Sequence, residues 1–184
     1  MKAYIFVDIQ NDFISGVLGS KEAQEMIPRL IDYIHNLKVD KDDLAIITQD
    51  THFAHSYGDY LEGRKLPIPH CIKGTEGWQI PQEVRTAIRD KFGYRKYVEK
   101  TTFGSYDVIE WLDFYETFDG NCFYDEIILM GICTDICVIS NVLPIKMCYP
   151  ETPIKVVADC CAGTTPENHQ SALNVMKSCQ VDII

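Results

Sequence analysis

The sequence has no pair of cysteines separated by two residues, although eight of its 184 residues are cysteines. Structural zinc ribbons use such closely spaced pairs as ligands, so this absence argues against that class of protein. The start of the chain also lacks the long apolar run and the small-residue cleavage site of a secretory signal peptide. We therefore expect the cysteines to be thiols and the protein to be cytosolic.

Long apolar runs and positive charge are also scarce. No stretch approaches the roughly 18 apolar residues that a membrane span requires, and the formal net charge at pH 7 is -10. An acidic chain repels nucleic acids and anionic membrane surfaces, so we expect neither as a partner. The sequence has no internal repeat or low-complexity segment, and its length suits one domain over residues 1–184.

Apolar segments rich in β-branched residues alternate with helical patterns along the chain. The predicted strands are 3–9, 44–48, 96–100, 126–132, 154–160 and a last one within 181–184. Several are apolar at every position, as is typical of strands buried on both faces. Helical periodicity appears over 26–37 and 108–115, and Thr165-Pro166 is typical of a helix start. The alternation predicts an α/β fold with a central parallel β-sheet and helices on both faces.

The segment 50–78 does not follow this alternation. It is rich in Gly, Pro and His, and it is long for a connection inside one domain, which is typical of functional loops. In open parallel sheets, ligands bind beyond the carboxyl ends of the strands. Three predicted strands end in reactive residues, Asp8, Asp50 and Lys100, and the turn 131–137 follows a fourth. We expect these residues to surround one crevice.

Three side chains near these strand ends suit covalent catalysis. A carboxylate such as Asp8 is costly to bury unless it is paired or functional, and a lysine such as Lys100 beside it would offset that cost. Cys137 lies in a strand-to-helix turn, where the helix dipole is expected to lower the thiol pKa and free N–H groups can hold an oxyanion. Each also has a structural explanation: a turn cap, a solvated strand end and a buried thiol, respectively.

The long loop carries a second set of reactive side chains. Asp50 and His52 are two residues apart and point to the same side of an extended segment. With His70 they form two histidines and a carboxylate, a common set for a divalent metal with open coordination positions. Glu62 and His55 are the alternatives for a fourth ligand, and Glu62 is favoured. Zinc is the first choice of metal, and iron and manganese also suit these ligands.

Five motifs of the chain occur together: VDIQNDF, TQDTHF, LPIPHCIKGTEGWQI, VEKTTFGS and GICTDICV. Their order and spacing resemble those of the isochorismatase-like cysteine hydrolases, and among these the nicotinamidase-type amidases, over residues 4–179. The resemblance implies a Rossmann-like three-layer α/β/α sandwich with Asp8, Lys100 and Cys137 as the catalytic triad. The nucleophile of this family follows T-D-x, which selects Cys137 rather than Cys133.

The resemblance also implies a mechanism. Asp8 accepts the thiol proton, and Cys137 attacks the amide carbon to form a thioester that water hydrolyses. The N–H groups of Cys133 and Cys137 form the oxyanion hole, and a cis peptide bond at Ile132–Cys133 belongs to the same pattern.

The metal ligands of this family correspond to Asp50, His52 and His70, with Glu62 as the fourth. The resemblance implies that the metal binds the pyridine nitrogen of the substrate. Phe13 and Trp78 are candidates for packing against the substrate ring, although both also suit a core.

The function implied first is hydrolysis of the small-molecule amide nicotinamide to nicotinate and ammonia, within nicotinamide cofactor salvage. The alternatives in the same superfamily are isochorismatase, N-carbamoyl-amino-acid amidase and ureide or biuret hydrolase. A catalytically inactive binding protein and a metal-storage protein are alternatives from other classes. A homo-oligomer is common in the family, and the sequence leaves the oligomeric state open.

Overall fold

The structure is a computed structural model that describes residues 1–118 and 124–184. Its centre is a six-stranded sheet in which each pair of neighbouring strands is parallel. The strands are β1 (Lys2–Val7), β2 (Leu44–Asp50), β3 (Tyr94–Lys100), β4 (Glu126–Ile132), β5 (Ile154–Ala162) and β6 (Asp182–Ile183). They lie in the order β3-β2-β1-β4-β5-β6, which is that of a doubly wound sheet.

Helices cover the sheet in two layers. They are α1 (Asn11–Ile14), α2 (Lys21–Asn36), α3 (Leu61–Lys65), α4 (Gln82–Lys91), α5 (Tyr106–Phe118), α6 (Ile139–Cys148) and α7 (Pro166–Ser178), with a 3-10 turn at Tyr57–Asp59. Helices α2 and α4 pack together, while α6 packs against both α5 and α7. The predicted three-layer α/β/α sandwich around a parallel sheet is confirmed.

The helix ends follow from local chemistry. Ser20 starts α2, and its side chain accepts a hydrogen bond from the Ala23 N–H at 3.0 Å. The stripe that α2 buries contains Met26 and Leu30 at helical spacing, as predicted. Thr165 caps α7 by accepting from the Asn168 N–H at 3.1 Å, with a proline at the first helical position. The predicted start of this helix is confirmed.

Some element bounds differ from prediction. The strand predicted over 3–9 ends at Val7, because the backbone turns at Asp8, where φ is +48°. Helix α4 buries Val84 and Ile88, four residues apart, and so short a stripe does not predict a helix from the sequence. Helix α6 was not predicted because it is apolar over most of its surface and contains Pro144, and periodicity cannot separate such a segment from a strand.

The topology determines where a site can form. Strands β1 and β4 are neighbours, but the chain leads from β1 towards β2 and β3 on one side and from β4 towards β5 and β6 on the other. Such a switch point leaves a crevice beyond the carboxyl ends of the strands. Asp8 follows β1, and the turn that contains Cys137 follows β4. Among the described residues, no helix has the length and apolar composition needed to cross a membrane.

Candidate active site

Lys100 joins the reactive side chains of the crevice. Its Nζ lies 2.6 Å from Asp8 Oδ2 and 3.7 Å from Cys137 Sγ, and it donates to the Thr102 carbonyl at 3.0 Å. All three predicted triad residues are buried, with Asp8 completely inaccessible. The structure thus brings a carboxylate, an ammonium and a thiol into direct contact away from bulk water.

Burial and the charges of neighbouring groups together set the pKa values of this cluster. It raises the pKa of Asp8, and the nearby Lys100 ammonium lowers that pKa only in part. Burial alone lowers the pKa of Lys100, but attraction to Asp8 and Cys137 outweighs this effect and the net shift is upwards. Asp8 is therefore more basic than an ordinary carboxylate, and Lys100 keeps its proton.

The thiol pKa of Cys137 is a correction to the sequence-based expectation. A helix start was expected to lower it, yet burial and the negative charge of Asp8 raise it well above the ordinary value. Lys100 opposes this shift without reversing it. The resting side chain is therefore a neutral thiol that needs a base before it can attack.

A tight turn presents Cys137 to the crevice. Residues Thr134–Val138 form a π-helical turn that leads into α6, and the Cys133 carbonyl accepts from the N–H groups of Ile136 and Val138. The peptide bond Ile132–Cys133 is cis, as the family resemblance implied. The amide of Asn141 donates to the Cys137 carbonyl at 2.8 Å.

Two contacts hold this turn from outside. The Thr134 hydroxyl lies 2.8 Å from His169 Nδ1 on α7, and the Asp135 carboxylate accepts from the Thr164 N–H at 2.8 Å. Thr164 and His169 both lie after β5, the strand that neighbours β4. The segment that follows β5 therefore fixes the turn that carries the thiol. No sequence pattern pointed to these contacts, because the partners are 29 and 35 residues apart.

The predicted metal ligands also meet at one place. One ligand atom from each of Asp50, His52, Glu62 and His70 lies within 4.8 Å of all the others. Asp50 Oδ2 is 3.0 Å from His52 Nε2 and 3.3 Å from His70 Nε2, and Glu62 Oε1 is 3.8 and 3.7 Å from the same two nitrogens. Among the described residues, His55 does not join this group.

A short parallel bridge brings the two halves of the loop together. The His52 N–H donates to the Cys71 carbonyl at 3.0 Å, and the Lys73 N–H donates to the His52 carbonyl at 2.9 Å. The Cys71 N–H in turn donates to the Asp12 carboxylate at 2.7 Å. His70 is thereby held opposite His52, although the two are distant in sequence.

The chemistry of these four side chains fits a divalent cation. His70 Nδ1 lies 2.9 Å from the Ile68 carbonyl, which favours a proton on Nδ1 and leaves the Nε2 lone pair facing Asp50 and Glu62. His52 Nε2 is buried, and among the described residues it has no well-aligned hydrogen-bond partner. Both features are those of histidines prepared to bind a metal.

The charged side chains around the candidate ligands also favour a divalent cation. The carboxylates of Asp8, Asp50 and Glu62 share this region with the buried ammonium of Lys100. Burial raises the pKa of Asp50, but the two adjacent histidines and the charge of Lys100 more than reverse this shift, so Asp50 is ionised. A divalent cation would offset the negative charge of these carboxylates, which is costly to bury without a partner.

Two buried polar residues that the sequence did not single out also hold the strand ends. Gln10 lies against Asp50: its side-chain oxygen accepts from the Asp50 N–H at 2.7 Å, and its amide donates to the Asp50 carbonyl at 2.9 Å. Thr48 contacts Asp8 in a similar way. Burial in the structure reveals these residues, whereas a lone Gln or Thr in a sequence carries no signal.

The thiol and the metal-ligand group share a cavity of about 820 Å³. Cys133 and Cys137 line one part of it, and Asp50, His52, Glu62 and His70 line another. Its volume is ample for a small-molecule ligand.

The structure places the two predicted ring contacts differently. Phe13 lines the cavity and packs on His70 with ring centroids 5.5 Å apart. Trp78 is not among the described residues that line the cavity, so its predicted contact with a substrate ring is not supported. Its indole N–H donates to the Thr51 hydroxyl at 3.0 Å, and its ring packs against the hydrophobic core. Trp78 therefore fits the alternative given from the sequence, that of a core residue.

Comparison with known proteins agrees with this architecture. The isochorismatase domain model matches residues 2–184. A nicotinamidase from Escherichia coli is 28% identical over an alignment of 200 positions, which covers 93% of this chain and 87% of that protein. The crystal structure of a pyrazinamidase/nicotinamidase from Streptococcus mutans is 26% identical and superimposes with a TM-score of 0.83 over 100% of both chains.

A third relative was solved with a metal. The pyrazinamidase of Pyrococcus horikoshii, crystallised in complex with zinc, has a TM-score of 0.71 and 24% identity over 100% of this chain and 98% of its own. Because the isochorismatase domain model covers nearly the whole chain, this protein belongs to the isochorismatase family of hydrolases.

Proposed function

We propose that this protein is a nicotinamidase that converts nicotinamide and water into nicotinate and ammonia. The observation that carries the proposal is the cavity itself, in which a thiol beside a buried carboxylate–ammonium pair faces a four-ligand group suited to a divalent cation. The nicotinamidase relatives from Escherichia coli and Streptococcus mutans support the same substrate class. The reaction belongs to salvage of nicotinamide cofactors.

The first half of the reaction forms a thioester. Asp8, whose pKa is raised, takes the proton of the neutral Cys137 thiol, and the sulfur bonds to the carboxamide carbon. The N–H groups of Cys133 and Cys137 stabilise the oxyanion of the tetrahedral intermediate. When the C–N bond breaks, Asp8 returns the proton to the nitrogen, and ammonia leaves. Lys100 remains protonated throughout and stabilises the negative charge that passes between Asp8 and the sulfur.

The second half releases the acid. Asp8 takes a proton from water, the hydroxide oxygen bonds to the thioester carbon, and the C–S bond breaks. Asp8 gives this proton to the sulfur of Cys137 as it leaves, and nicotinic acid departs and ionises to nicotinate. One carboxylate therefore serves as base and acid in turn, because it lies 2.6 Å from the Lys100 ammonium and close enough to the Cys137 thiol to raise the pKa of that thiol.

Asp50, His52, Glu62 and His70 would hold a divalent metal, with zinc as the first choice and iron or manganese as alternatives. When bound, the metal supplies a Lewis-acid site for the pyridine nitrogen, so that the substrate is oriented for attack. The zinc complex of the Pyrococcus horikoshii pyrazinamidase supports this choice. Phe13 would pack against the pyridine ring from the side of His70.

A substrate panel tests the proposal. The purified protein is incubated with nicotinamide, pyrazinamide, benzamide, N-carbamoylsarcosine, biuret and isochorismate, and products are followed by chromatography and by ammonia release. We expect the highest kcat/KM with nicotinamide or pyrazinamide, both of which carry a ring nitrogen. A preference for a substrate without a ring would assign the protein to another branch of the superfamily. The single domain over residues 1–184 and the cytosolic location remain predictions.

A further inference from the structure

Asp8 has a backbone conformation that is costly for a residue with a side chain. Its φ angle is +48°, in the left-handed region, and it lies immediately after β1. Such a conformation is unfavourable for a residue with a Cβ atom and persists only where the surroundings enforce it. Because Asp8 is also completely buried with a charged partner, the contacts that enforce this conformation matter for the position of its carboxylate.

Thr48 supplies two of these contacts. Its hydroxyl oxygen accepts a hydrogen bond from the Asp8 N–H at 3.1 Å, and the same hydroxyl donates to Asp8 Oδ1 at 2.7 Å. Thr48 is itself fully buried on β2. One hydroxyl therefore fixes both the backbone and the side chain of the same aspartate.

The strand register explains why Thr48 can reach this position. Strands β1 and β2 are paired up to Phe6 and Ile47. Thr48 is the next residue of β2, where β1 is about to end and the chain turns at Asp8. The hydroxyl thus takes the place of a further backbone contact at the point where the strand pairing stops.

The two oxygens of Asp8 consequently have different partners from different strands. Thr48 on β2 holds Oδ1, and Lys100 on β3 lies 2.6 Å from Oδ2. Two fixed oxygens determine the plane of a carboxylate. Lys100 also contacts Cys137 Sγ, at 3.7 Å, so the cation that holds Oδ2 of Asp8 is the one that contacts the thiol.

We propose that Thr48 is a positioning residue that holds Asp8 for proton exchange with Cys137. This inference rests on the proposed function, in which Asp8 is the base. Thr48 does not line the cavity among the described residues, so it acts through Asp8 and not on the substrate. If Thr48 had only a structural role, its hydrogen bonds with Asp8 would serve only to pair its own buried hydroxyl group on β2.

Matched substitutions separate the two roles. Thr48→Val keeps the shape of the side chain and removes the hydroxyl, whereas Thr48→Ser keeps the hydroxyl. We expect Thr48→Val to lower kcat for nicotinamide roughly tenfold or more with KM within about twofold, because loss of orientation affects the proton-transfer step. We expect Thr48→Ser to retain activity within about threefold of wild type. Thr152→Val, at a buried threonine between α6 and β5, is the control and should retain wild-type kcat.

Alkylation of Cys137 by iodoacetamide provides a readout that does not depend on the substrate. It is followed by mass spectrometry at limiting reagent, and we expect Thr48→Val to slow it by a factor similar to the loss in kcat. Circular dichroism and thermal unfolding establish that each variant is folded. If Thr48→Val does not fold, Thr48→Ala is compared with Thr48→Ser, since these two differ only in the hydroxyl.

The proposal is overturned if Thr48→Val retains wild-type kcat and alkylation rate, or if the folded Thr48→Ser is as defective as Thr48→Val. Hydrolysis of nicotinamide by the wild-type protein tests the proposed function separately from this inference. If the wild-type protein does not hydrolyse nicotinamide, the proposed function fails, while the alkylation rates of Cys137 still test whether Thr48 positions Asp8.

Discussion

The ammonium of Lys100 lies 2.6 Å from the carboxylate of Asp8, and both side chains are buried, with exposed fractions of 1% and 0%. Lys100 is the last residue of β3 and Asp8 follows β1, and these two strands are separated in the sheet by β2. Lys100 therefore extends past the end of β2 to reach Asp8, and it passes within 3.9 Å of Asp50 Oδ1 on the way. One cation thus connects the thiol, the candidate base and the candidate metal ligands.

Removal of this cation is the first prediction. Lys100→Met should abolish hydrolysis and lower the free energy of unfolding by roughly 3–5 kcal/mol, because it leaves the carboxylate of Asp8 buried without a partner. Urea unfolding at pH 7 measures the stability. Lys155→Met, which removes a partly exposed ion pair with Glu126, is the control and should cost about 1 kcal/mol or less.

The double variant Asp8→Asn with Lys100→Met tests the reason for this loss. With both charges gone, we expect much of the lost stability to return, because no unpaired charge remains at this position. Activity should remain absent, since the base is missing. A double variant that is as unstable as Lys100→Met alone would show that packing by the lysine stem, and not charge pairing, determines the stability.

The second prediction concerns the nucleophile. Cys137→Ala should reduce nicotinamide hydrolysis to background, whereas Cys133→Ala should retain most of it, since the expected contribution of residue 133 is its backbone N–H. Mass spectrometry after treatment with a substrate-mimicking electrophile should locate the adduct on Cys137. An adduct on Cys133 would mean that the T-D-x motif has been misinterpreted.

The third prediction concerns the metal. Removal of metal with a chelator should abolish nicotinamide turnover and leave the circular dichroism spectrum unchanged, because the sheet and its helices do not need the loop ligands to fold. Metal content is measured by mass spectrometry before and after dialysis. Full activity of the metal-free protein would exclude a positioning role for the metal.

Matched histidine variants refine this test. His52→Ala should lose bound metal and activity while remaining folded, and His55→Ala, outside the ligand group, should keep both. Benzamide, which has the ring and the amide but no ring nitrogen, should be a poor substrate. Equal turnover of benzamide and nicotinamide would contradict the proposed contact with the pyridine nitrogen.

The fourth prediction concerns alkaline stability. Burial raises the pKa of Cys161 to about 12 in the folded protein, whereas an unfolded cysteine titrates near 8.5. Above the ordinary value the unfolded state loses a proton that the folded state keeps, so stability present at lower pH is lost as pH rises towards 12. The slope is roughly 1.4 kcal/mol per pH unit for one such group.

Urea unfolding at pH 8 and pH 10 measures this effect. Cys161→Ala should be less stable than wild type at pH 8 but should lose less stability between the two values. Val157→Ala, at another buried position of β5, is the control, because it removes volume without removing an ionisable group. If Cys161→Ala and Val157→Ala show the same pH dependence, Cys161 does not contribute to alkaline unfolding.

Much of the fold is determined locally. The segments that become β1, β4 and β5 are apolar at almost every position, and only a sheet covered on both faces can bury them. The caps at Ser20 and Thr165 act within three residues, so they form wherever the chain folds. The candidate triad and metal ligands were also found from the sequence, because their residue types recur in a known order of motifs.

Only the tertiary structure decided how those residues act. The neutral state of the Cys137 thiol follows from burial beside Asp8, which outweighs the helix-end effect expected from the sequence. The choice of Glu62 over His55 follows from the path of α3, and the place of Trp78 follows from its hydrogen bond to Thr51. Thr48 gains its contact with Asp8 because parallel pairing brings together residues 40 positions apart. Burial and long-range contacts set proton affinities and orientations, and a linear pattern of residue types contains neither.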